Sequence, residues 1–214
     1  MYLIFDTETT GLPRDFNAPL TDLDNWPRLV QLAWQLHDAD GTLIEVKNFI
    51  VRPDGFTIPF NAQKIHGIST ALAQEKGIPL EEVLHVFSEA VSKCQCVAGH
   101  NISFDLNIVG AEYLRVSGTN GLENLPFIDT KDESTDYCAI PGGKGGKFKW
   151  PTLTELHQKL FGEGFDAAHN AAADVEATAR CFLELIRLDI IDKDKLPASD
   201  EQIRVFKEKN TQPI

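Results

Sequence analysis

The chain has 214 residues, of which 43% are hydrophobic and 24% charged, and a formal net charge of −12 at pH 7. These values are typical of a globular protein, and since no apolar run is as long as a membrane span and no export signal begins the chain, we expect a cytoplasmic protein without membrane contact. The acidic charge argues against gripping nucleic acid with a basic surface, unless bound cations supply the positive charge locally.

The first part of the chain predicts three strands and two short helices. The apolar run Tyr2–Phe5 predicts a buried strand, and the polar stretch 11–27 predicts a long loop after it. Apolar and polar residues then alternate on both sides of an Ala-Asp-Gly turn, which predicts an antiparallel hairpin of Leu29–Leu36 and Thr42–Val51 beside the first strand. Short helices are predicted in IPFNAQKIHGIS and ALAQEKGIP.

The remainder of the chain alternates helices with short strands. The predicted helices cover 80–94, 104–118, 152–162 and 171–188, and the predicted strands cover 96–101 and 125–130. Thr152 and Glu155 fit a capping box at the start of the third helix. The stripe of the last helix that should face the core comprises Val175, Ala179, Phe182 and Ile186. This order of elements predicts an α/β fold, with a mixed sheet flanked by helices.

Cysteine usage fits a reducing compartment. The pair Cys94 and Cys96 is spaced too tightly for the usual zinc knuckle, and no second pair with ligand spacing follows it. Cys138 stands alone, and Cys181 falls on the apolar side of a helical pattern. We therefore expect four reduced and buried thiols.

Two acidic residues stand at the end of the first predicted strand. Asp6 and Glu8 are two residues apart in FDTETTG, so in an extended chain their side chains point to the same face. Two carboxylates this close repel each other, and one is normally forced neutral unless a cation lies between them. The pair therefore raises the hypothesis of a metal site, although a D-x-E pattern alone is common.

Further polar residues occur where other strands end. Asp105 begins a helix directly after a predicted strand, and Asp174 lies in the first turns of the last long helix with His169 just before it. Open α/β sheets build sites where strands end and helices begin. The alanines between His169 and Asp174 would let this helix approach the sheet closely. For each residue taken alone, helix capping or a favourable helix dipole is the alternative explanation.

Taken in order, the segments FDTETTG, HNISFD and HNAAAD resemble the three motifs of the DEDDh 3′–5′ exonucleases. That family includes RNase T, oligoribonuclease and the proofreading subunit of bacterial DNA polymerase III. The first motif, FDTETTG, resembles that of the proofreading-type members. The matching positions are Asp6, Glu8, Asp105, Asp174 and His169. The histidine stands five residues before the last acid, which is the spacing of the histidine branch of the family.

The resemblance implies an RNase H-like fold, with a mixed five-stranded sheet whose first three strands are antiparallel. The exonuclease domain is expected to span residues 1–188. Residues 189–214 are charged and weakly patterned, and we expect a C-terminal extension that is helical or partly ordered. Polymerase docking, dimerisation and the absence of any role remain open for this extension.

The resemblance also implies a pair of divalent cations, Mg²⁺ or Mn²⁺. Asp6 would bridge both ions, Glu8 and Asp174 would complete the site that holds the attacking water, and Asp105 would act on one ion directly or through water. Hard cations prefer carboxylate oxygens, and two of them about 3.5–4 Å apart suit phosphodiester hydrolysis. His169 would serve as the general base, because its unperturbed pKa lies near neutral pH.

The family pattern implies substrate contacts as well. The candidate substrate-binding residues are Thr9, Gly11, Leu12, His66, Asn101 and Phe104. Leu12 would wedge against the terminal base and His66 lies in a segment, KIHGI, that resembles one whose histidine meets the substrate. For Leu12 and Phe104, packing in the core is the alternative. The glycine- and lysine-rich loop 142–149, together with Trp150, is predicted to be mobile and could grip a nucleic-acid strand or simply be solvated.

These features predict a metal-dependent 3′–5′ exonuclease that releases nucleoside monophosphates from single-stranded ends, with DNA favoured over RNA. A DNA polymerase is a candidate partner. The alternatives are an exoribonuclease of the same fold that trims RNA 3′ ends, and a non-catalytic module that binds nucleic acid or a polymerase. A non-catalytic module would be expected to have lost some of the motif residues, whereas all five motif positions are filled in this sequence.

Overall fold

The computed structural model describes residues 1–165 and 170–214. Its five strands are β1 (Tyr2–Thr9), β2 (Leu29–His37), β3 (Leu43–Ile50), β4 (Cys96–Gly99) and β5 (Phe127–Asp129). They form one sheet in the order β3-β2-β1-β4-β5. The first three strands are antiparallel to one another, and β4 and β5 run parallel to β1. The predicted mixed sheet is therefore confirmed.

The described residues also form helices α1 to α9. Their bounds are α1 (Phe60–His66), α2 (Thr70–Lys76), α3 (Leu80–Lys93), α4 (Ile102–Ser117), α5 (Thr130–Glu133), α6 (Thr135–Cys138), α7 (Leu153–Phe161), α8 (Ala171–Arg187) and α9 (Asp200–Lys209). The four longer helices predicted before residue 188 are confirmed within two residues at each end, and the two segments predicted to hold short helices contain α1 and α2. The single turns α5 and α6 were not predicted, because a four-residue helix carries too little periodicity to be recognised.

Alternate residues of β1 pack into two apolar layers on opposite faces of the sheet. Tyr2 faces α8, where its ring meets Phe182 edge-on at a centroid distance of 5.2 Å. Phe5 faces the α3 side and meets Phe87 in the same geometry, also at 5.2 Å. Burial on both sides explains why the run Tyr2–Phe5 is continuously apolar. The predicted stripe of α8 is buried in the first layer: Val175, Ala179, Phe182 and Ile186.

Local capping follows the predicted chemistry. Thr152 and Glu155 form the predicted capping box at the start of α7, each side chain accepting a backbone N–H of the other residue. Gly118 ends α4 with a φ of 74°, a left-handed conformation that costs glycine little. Asn170 caps α8, and its side chain accepts the N–H of Ala172 at 3.1 Å.

The C-terminal residues pack against the α8 layer. A capping box of Ser199 and Gln202 begins α9, and Phe206 within α9 is buried. The carbonyl oxygen of Ile214 accepts a hydrogen bond from Arg180 Nε at 2.6 Å. Residues 189–214 thus contain a helix that shares a core with the rest of the chain, and the domain boundary at residue 188 stays a prediction.

All four cysteines are free thiols. Cys96, Cys138 and Cys181 are buried, whereas Cys94 is half-buried, so burial was correctly predicted for three of the four. In the two described ranges, no helix combines the length and the apolar character that crossing a bilayer requires.

Candidate active site

Three carboxylates meet at the end of β1 that lies beside α8. Asp6 and Glu8 project from the same side of β1, and α8 brings Asp174 to them from its first turn. Each of the three residues offers one carboxylate oxygen, and these oxygens all lie within 4.8 Å of one another. Such a spacing is compatible with shared coordination of a cation, so the structure unites three of the four predicted acids at a possible metal centre.

The position of Asp174 depends on how α8 begins. The N–H of Asp174 donates to the carbonyl oxygen of Asn170 at 2.9 Å, which is the first turn of the helix. The N–H of Ala171 lies 3.4 Å from Gln31 Oε1 and so links the helix start to β2. Ala171 is fully buried. Its small side chain lets the start of α8 pack closely against the sheet, as the run of alanines predicts.

The fourth predicted acid, Asp105, lies beside the cluster and is held differently. It is buried in the first turn of α4, and its Oδ1 accepts hydrogen bonds from Thr7 N at 3.0 Å and Thr7 Oγ1 at 2.6 Å. It is close enough to Asp6 for its charge to raise the pKa of Asp6. Thr7 lies between Asp6 and Glu8 in sequence but points to the other face of β1, so it couples Asp105 to the strand that carries the cluster.

Burial and mutual repulsion raise the pKa values of the acids. Burial is the main cause of the raised pKa of Asp6, and the charges of Asp105, Asp174 and Glu8 add to it. The pKa of Glu8 rises to about 7, first through burial and then through Asp174 and Asp105. Burial also raises the pKa of Asp105 to about 7, against the opposing hydrogen bonds from Thr7. Near neutral pH the empty site therefore retains protons that a bound cation would displace.

The donor set fits hard divalent cations. The cluster offers only carboxylate oxygens, which Mg²⁺ and Mn²⁺ prefer to nitrogen or sulfur. In the part of the chain that the structure describes, no Lys or Arg forms an ion pair with Asp6 or Glu8. After burial, repulsion between the acids is the second cause of their raised pKa values, and a divalent ion relieves this repulsion.

The predicted general base, His169, lies outside the described residues. The described chain resumes at Asn170, the cap of α8. The sequence places His169 five residues before Asp174. Its role stays a prediction.

The loop after β1 exposes one of the predicted substrate contacts. Thr9 Oγ1 donates to the carbonyl oxygen of Gly11 at 2.6 Å, which closes a tight turn. Gly11 has a φ of 151°, and a Cβ at this position would meet nothing within 4 Å. The side chain of Leu12 is 73% exposed, so packing in the core is excluded for it. An exposed leucine in the loop that follows the acids of β1 remains available to a ligand.

Two other candidates lie just before Asp105 in sequence, Phe104 within α4 and Asn101 directly before this helix. Phe104 is half-buried, and its ring lies 6.5 Å from the exposed ring of Phe16. Asn101 has a left-handed backbone, with φ 71° and ψ 37°, which is unusual for a residue other than glycine. The N–H of Asn101 donates to Asp129 Oδ1 at 2.8 Å, and its Oδ1 accepts from Lys131 Nζ at 2.7 Å.

His66 is buried at the end of α1. Its Nδ1 accepts the N–H of Ile68 at 3.1 Å, so the ring proton resides on Nε2. Burial lowers the pKa of His66, and the nearby backbone of Thr9 opposes this effect, while Nε2 is buried without a hydrogen-bond partner among the described residues. The ring therefore lies next to the turn that follows the acids of β1, although the two segments are more than fifty residues apart in sequence. Contact with a substrate stays a prediction.

Sequence reasoning missed two residues that organise the site. Thr7 holds Asp105, and Asp129 holds the backbone of Asn101 as well as the N–H of Lys131 at 3.0 Å. Asp129 is the last residue of β5, so the rule that sites form where parallel strands end could have identified it. Thr7 carried no such signal, because a threonine between two acids in a strand is not unusual.

The fold and the site together define an α/β protein with a carboxylate cluster where the central strand of a mixed sheet meets a helix start. The sequence profile of the RNase_T family of exonucleases matches residues 3–182. The chain therefore belongs to this exonuclease family. The match confirms the recognition of a DEDD-type exonuclease of the RNase H-like superfamily.

Curated relatives and solved structures agree with this assignment. The chain is 30% identical over 199 residues to the DNA polymerase III PolC-type protein of Streptococcus thermophilus, which covers 91% of this chain and 12% of that protein. Exonuclease I of E. coli, solved in complex with a dT13 oligonucleotide, superposes with a TM-score of 0.67 and 22% identity over 87% of this chain and 40% of that one. Exonuclease I of Methylocaldum szegediense gives a TM-score of 0.62 and 26% identity over the same shares. The chain thus spans a minor part of each of these proteins.

Proposed function

We propose that this chain is a metal-dependent 3′–5′ exonuclease that hydrolyses phosphodiester bonds at the 3′ ends of single-stranded nucleic acid and releases nucleoside monophosphates. The observation that carries the proposal is the meeting of Asp6, Glu8 and Asp174 within 4.8 Å in a chain of the exonuclease family. Acids that repel one another in the empty protein are explained if their function is to hold cations.

Asp6, Glu8 and Asp174 would hold the two divalent ions. Asp105 would act on one ion directly or through water, and the hydrogen bonds from Thr7 would orient its carboxylate. When bound, such ions activate water and stabilise charge on the attacking and leaving oxygens. Mg²⁺ or Mn²⁺ is proposed because all the donors are carboxylates.

His169 would accept the proton of the attacking water. It precedes Asp174 by five residues in the motif HNAAAD. Imidazole suits the role because its unperturbed pKa of about 6.5 lies close to neutral pH. A His169→Gln variant should lose activity while it retains divalent-ion binding, which separates proton transfer from metal coordination.

The 3′-terminal nucleotide would lie against the turn that follows β1. Leu12 is exposed there and would contact the last base, and His66 next to Thr9 would donate a hydrogen bond from Nε2. Asn101 and Phe104 lie just before Asp105 in sequence and would contact sugar or base. Thr9 and Gly11 shape the turn and would present backbone groups to the nucleotide.

DNA is favoured over RNA as the substrate. One relative is a PolC-type DNA polymerase III, and another is exonuclease I, which was solved in complex with a DNA oligonucleotide. The same relatives make a DNA polymerase the proposed partner class. A cytoplasmic location is proposed with this partner.

The decisive experiment measures mononucleotide release from 3′-labelled and 5′-labelled single strands with Mg²⁺. The intact protein should shorten the strand from its 3′ end, and matched DNA and RNA oligomers distinguish the proposed enzyme from an RNA-trimming one.

Asp6→Asn should reduce kcat/KM by more than about 100-fold, the upper range for losing an outer-shell partner of a metal, while the fold persists. Asp15→Asn, a change in the loop after β1, is the matched control. A metal-loaded protein inert on both polymers refutes the proposal.

A further inference from the structure

One of the three tryptophans is exposed. The ring of Trp150 is 64% exposed, whereas Trp26 and Trp34 are 3% and 0% exposed. Single exposed apolar residues are common on protein surfaces, so this alone indicates no function. The contacts on either side of the ring are more informative.

Both chain neighbours of Trp150 are anchored. The N–H of Lys149 donates to the carbonyl oxygen of Ile140 at 2.8 Å. On the other side, His100 Nε2 lies 3.0 Å from the carbonyl oxygen of Pro151, and since a carbonyl can only accept, Nε2 donates. Burial lowers the pKa of His100 to about 4, so the ring stays neutral at pH 7. Trp150 is thus presented to solvent by a backbone that the β4–α4 connection holds.

A cation links Trp150 to the candidate active site. Lys131 Nζ lies 4.5 Å from the centroid of the Trp150 ring and donates to Asn101 Oδ1 at 2.7 Å. Asn101 is the residue before α4, which carries Asp105 in its first turn. Asp132 lies 3.9 Å from Lys131 Nζ and balances part of its charge. Contacts therefore lead from the exposed ring to Asn101, the residue directly before the helix that carries Asp105.

The segment next to Trp150 continues this surface. A cleft of about 790 Å³ lies along it and is lined by Phe148, Lys144, Lys147 and Trp150 itself, with Asp136 as its acidic residue. Phe148 is also exposed. Aromatic rings alternating with lysines along a groove are what single-stranded nucleic acid requires, because bases stack on the rings and phosphates meet the cations. In a chain of net charge −12, this surface stands out as suited to a polyanion.

We propose that Trp150 is a stacking platform for a base of the single strand upstream of the scissile phosphodiester bond, and that Lys131, Lys144 and Lys147 contact the phosphates of the same stretch. The inference rests on the proposed function, since it names the path by which the substrate reaches the acid cluster. Trp150 and Lys131 are positioning residues, and they leave the hydrolytic chemistry to the acids.

Binding is measured first, in protein made inactive by Asp6→Asn, by fluorescence anisotropy of a labelled dT12 strand. Adding Trp150→Ala should weaken binding about tenfold, within the range for one stacked base, and Trp150→Phe should restore most of it. Phe127→Ala is the matched control, because Phe127 is 52% exposed but lies at the opposite end of β5 from Asp129. Equal losses from Trp150→Ala and Phe127→Ala, or no loss from either, overturn the inference.

The charged part of the surface is tested by salt. The slope of log K against log[salt] should fall by about 0.7 in Lys131→Gln, the value for one phosphate contact to a single strand. Lys195→Gln serves as the control, since Lys195 is an exposed lysine paired with Glu133. An unchanged slope in Lys131→Gln refutes the phosphate contact.

Kinetics separate this inference from the proposed function. In otherwise native protein with Mg²⁺, Trp150→Ala should raise KM for dT12 about tenfold and change kcat less than twofold. Hydrolysis of thymidine 5′-(4-nitrophenyl phosphate), too short to reach Trp150, should not change. If the short substrate is hydrolysed and KM for dT12 is unaffected, the stacking platform is wrong and the exonuclease proposal stands. If neither substrate is hydrolysed while dT12 binding still depends on Trp150, the proposed function fails and the binding surface remains.

Discussion

Acids lie on both faces of the sheet and differ in burial and in their charged neighbours: Glu112 is fully buried, whereas Asp6 and Glu8 are half-buried. Glu112 on α4 is fully buried, and its Oε1 accepts from Arg28 Nε and from the N–H of Leu29, each at 2.9 Å. Arg115 Nη1 lies 3.2 Å from the same oxygen. Across the sheet, Asp6 and Glu8 have acids as their charged neighbours.

This difference in charged neighbours indicates a structural role for Glu112 and a functional role for Asp6 and Glu8. Glu112 connects the residues before β2 to α4, and its two guanidinium partners offset the cost of burial. Burial, and after it repulsion among the acids, raises the pKa values of Asp6 and Glu8 and destabilises the empty protein above neutral pH. Evolution tolerates such an arrangement where a ligand compensates for it.

The largest effect on stability is expected when Glu112 is removed. Glu112→Ala leaves the guanidinium of Arg115 buried without its carboxylate, and breaking a buried pair costs about 3 kcal/mol or more. For a chain of this size the melting temperature should fall by about 6–12 °C, measured by calorimetry. Glu75→Ala, at an exposed position of α2, should stay within about 0.5 kcal/mol of wild type. A stable Glu112→Ala protein contradicts the structural role.

Divalent ions should stabilise the folded protein by binding to the acid cluster of Asp6, Glu8 and Asp174, and Glu112 should not contribute to this binding. With Mg²⁺ or Mn²⁺ at about 100 times its Kd, the free energy of unfolding should rise by about 2.7 kcal/mol, seen as a higher melting temperature. Asp174→Asn should abolish this increase, because it removes one of the three clustered oxygens. Glu112→Gln should keep it, since Glu112 is already paired. Equal responses from the two variants contradict the assignment of the metal site.

The pH dependence should follow Glu8. The pKa of Glu8 rises from 4.5 to about 7 on folding, so the folded state binds this proton more tightly than the unfolded chain. The resulting stability is fully present below pH 4.5 and is lost as the pH rises through about 7. In metal-free buffer, Glu8→Gln should therefore gain stability over wild type progressively from pH 5 to pH 8. Parallel melting curves at all pH values contradict the raised pKa.

The smallest effect on stability is expected at Leu12. The side chain is 73% exposed, so Leu12→Ala should change the melting temperature by less than about 2 °C. The same variant should raise KM for single-stranded DNA several-fold if Leu12 contacts the terminal base. Leu43→Ala, at an exposed position of the edge strand β3, is the control. Loss of stability in Leu12→Ala without a change in KM assigns Leu12 a packing role instead.

The predictions from sequence succeeded where the signal was local. The strands around the Ala-Asp-Gly turn, the capping box of Thr152 and Glu155 and the buried stripe of α8 each depend on residues within a few positions of one another. The three motifs likewise placed Asp6, Glu8 and Asp174 on elements that the structure brings together. They did not indicate that Asp105 would be held by Thr7 beside this group.

The sequence by itself determined the fold class, the order of the elements and the acids to examine, because periodicity, capping and motif spacing are properties of short segments. Tertiary structure alone decided which charges are compensated. Glu112 pairs with Arg28, which directly precedes β2 and is 84 residues away in sequence, and Lys131 lies over the ring of Trp150. Such pairs depend on how distant segments pack, and packing sets both the burial of a charge and the partner that it finds. The acid cluster and the surface around Trp150 therefore became visible only in the folded chain.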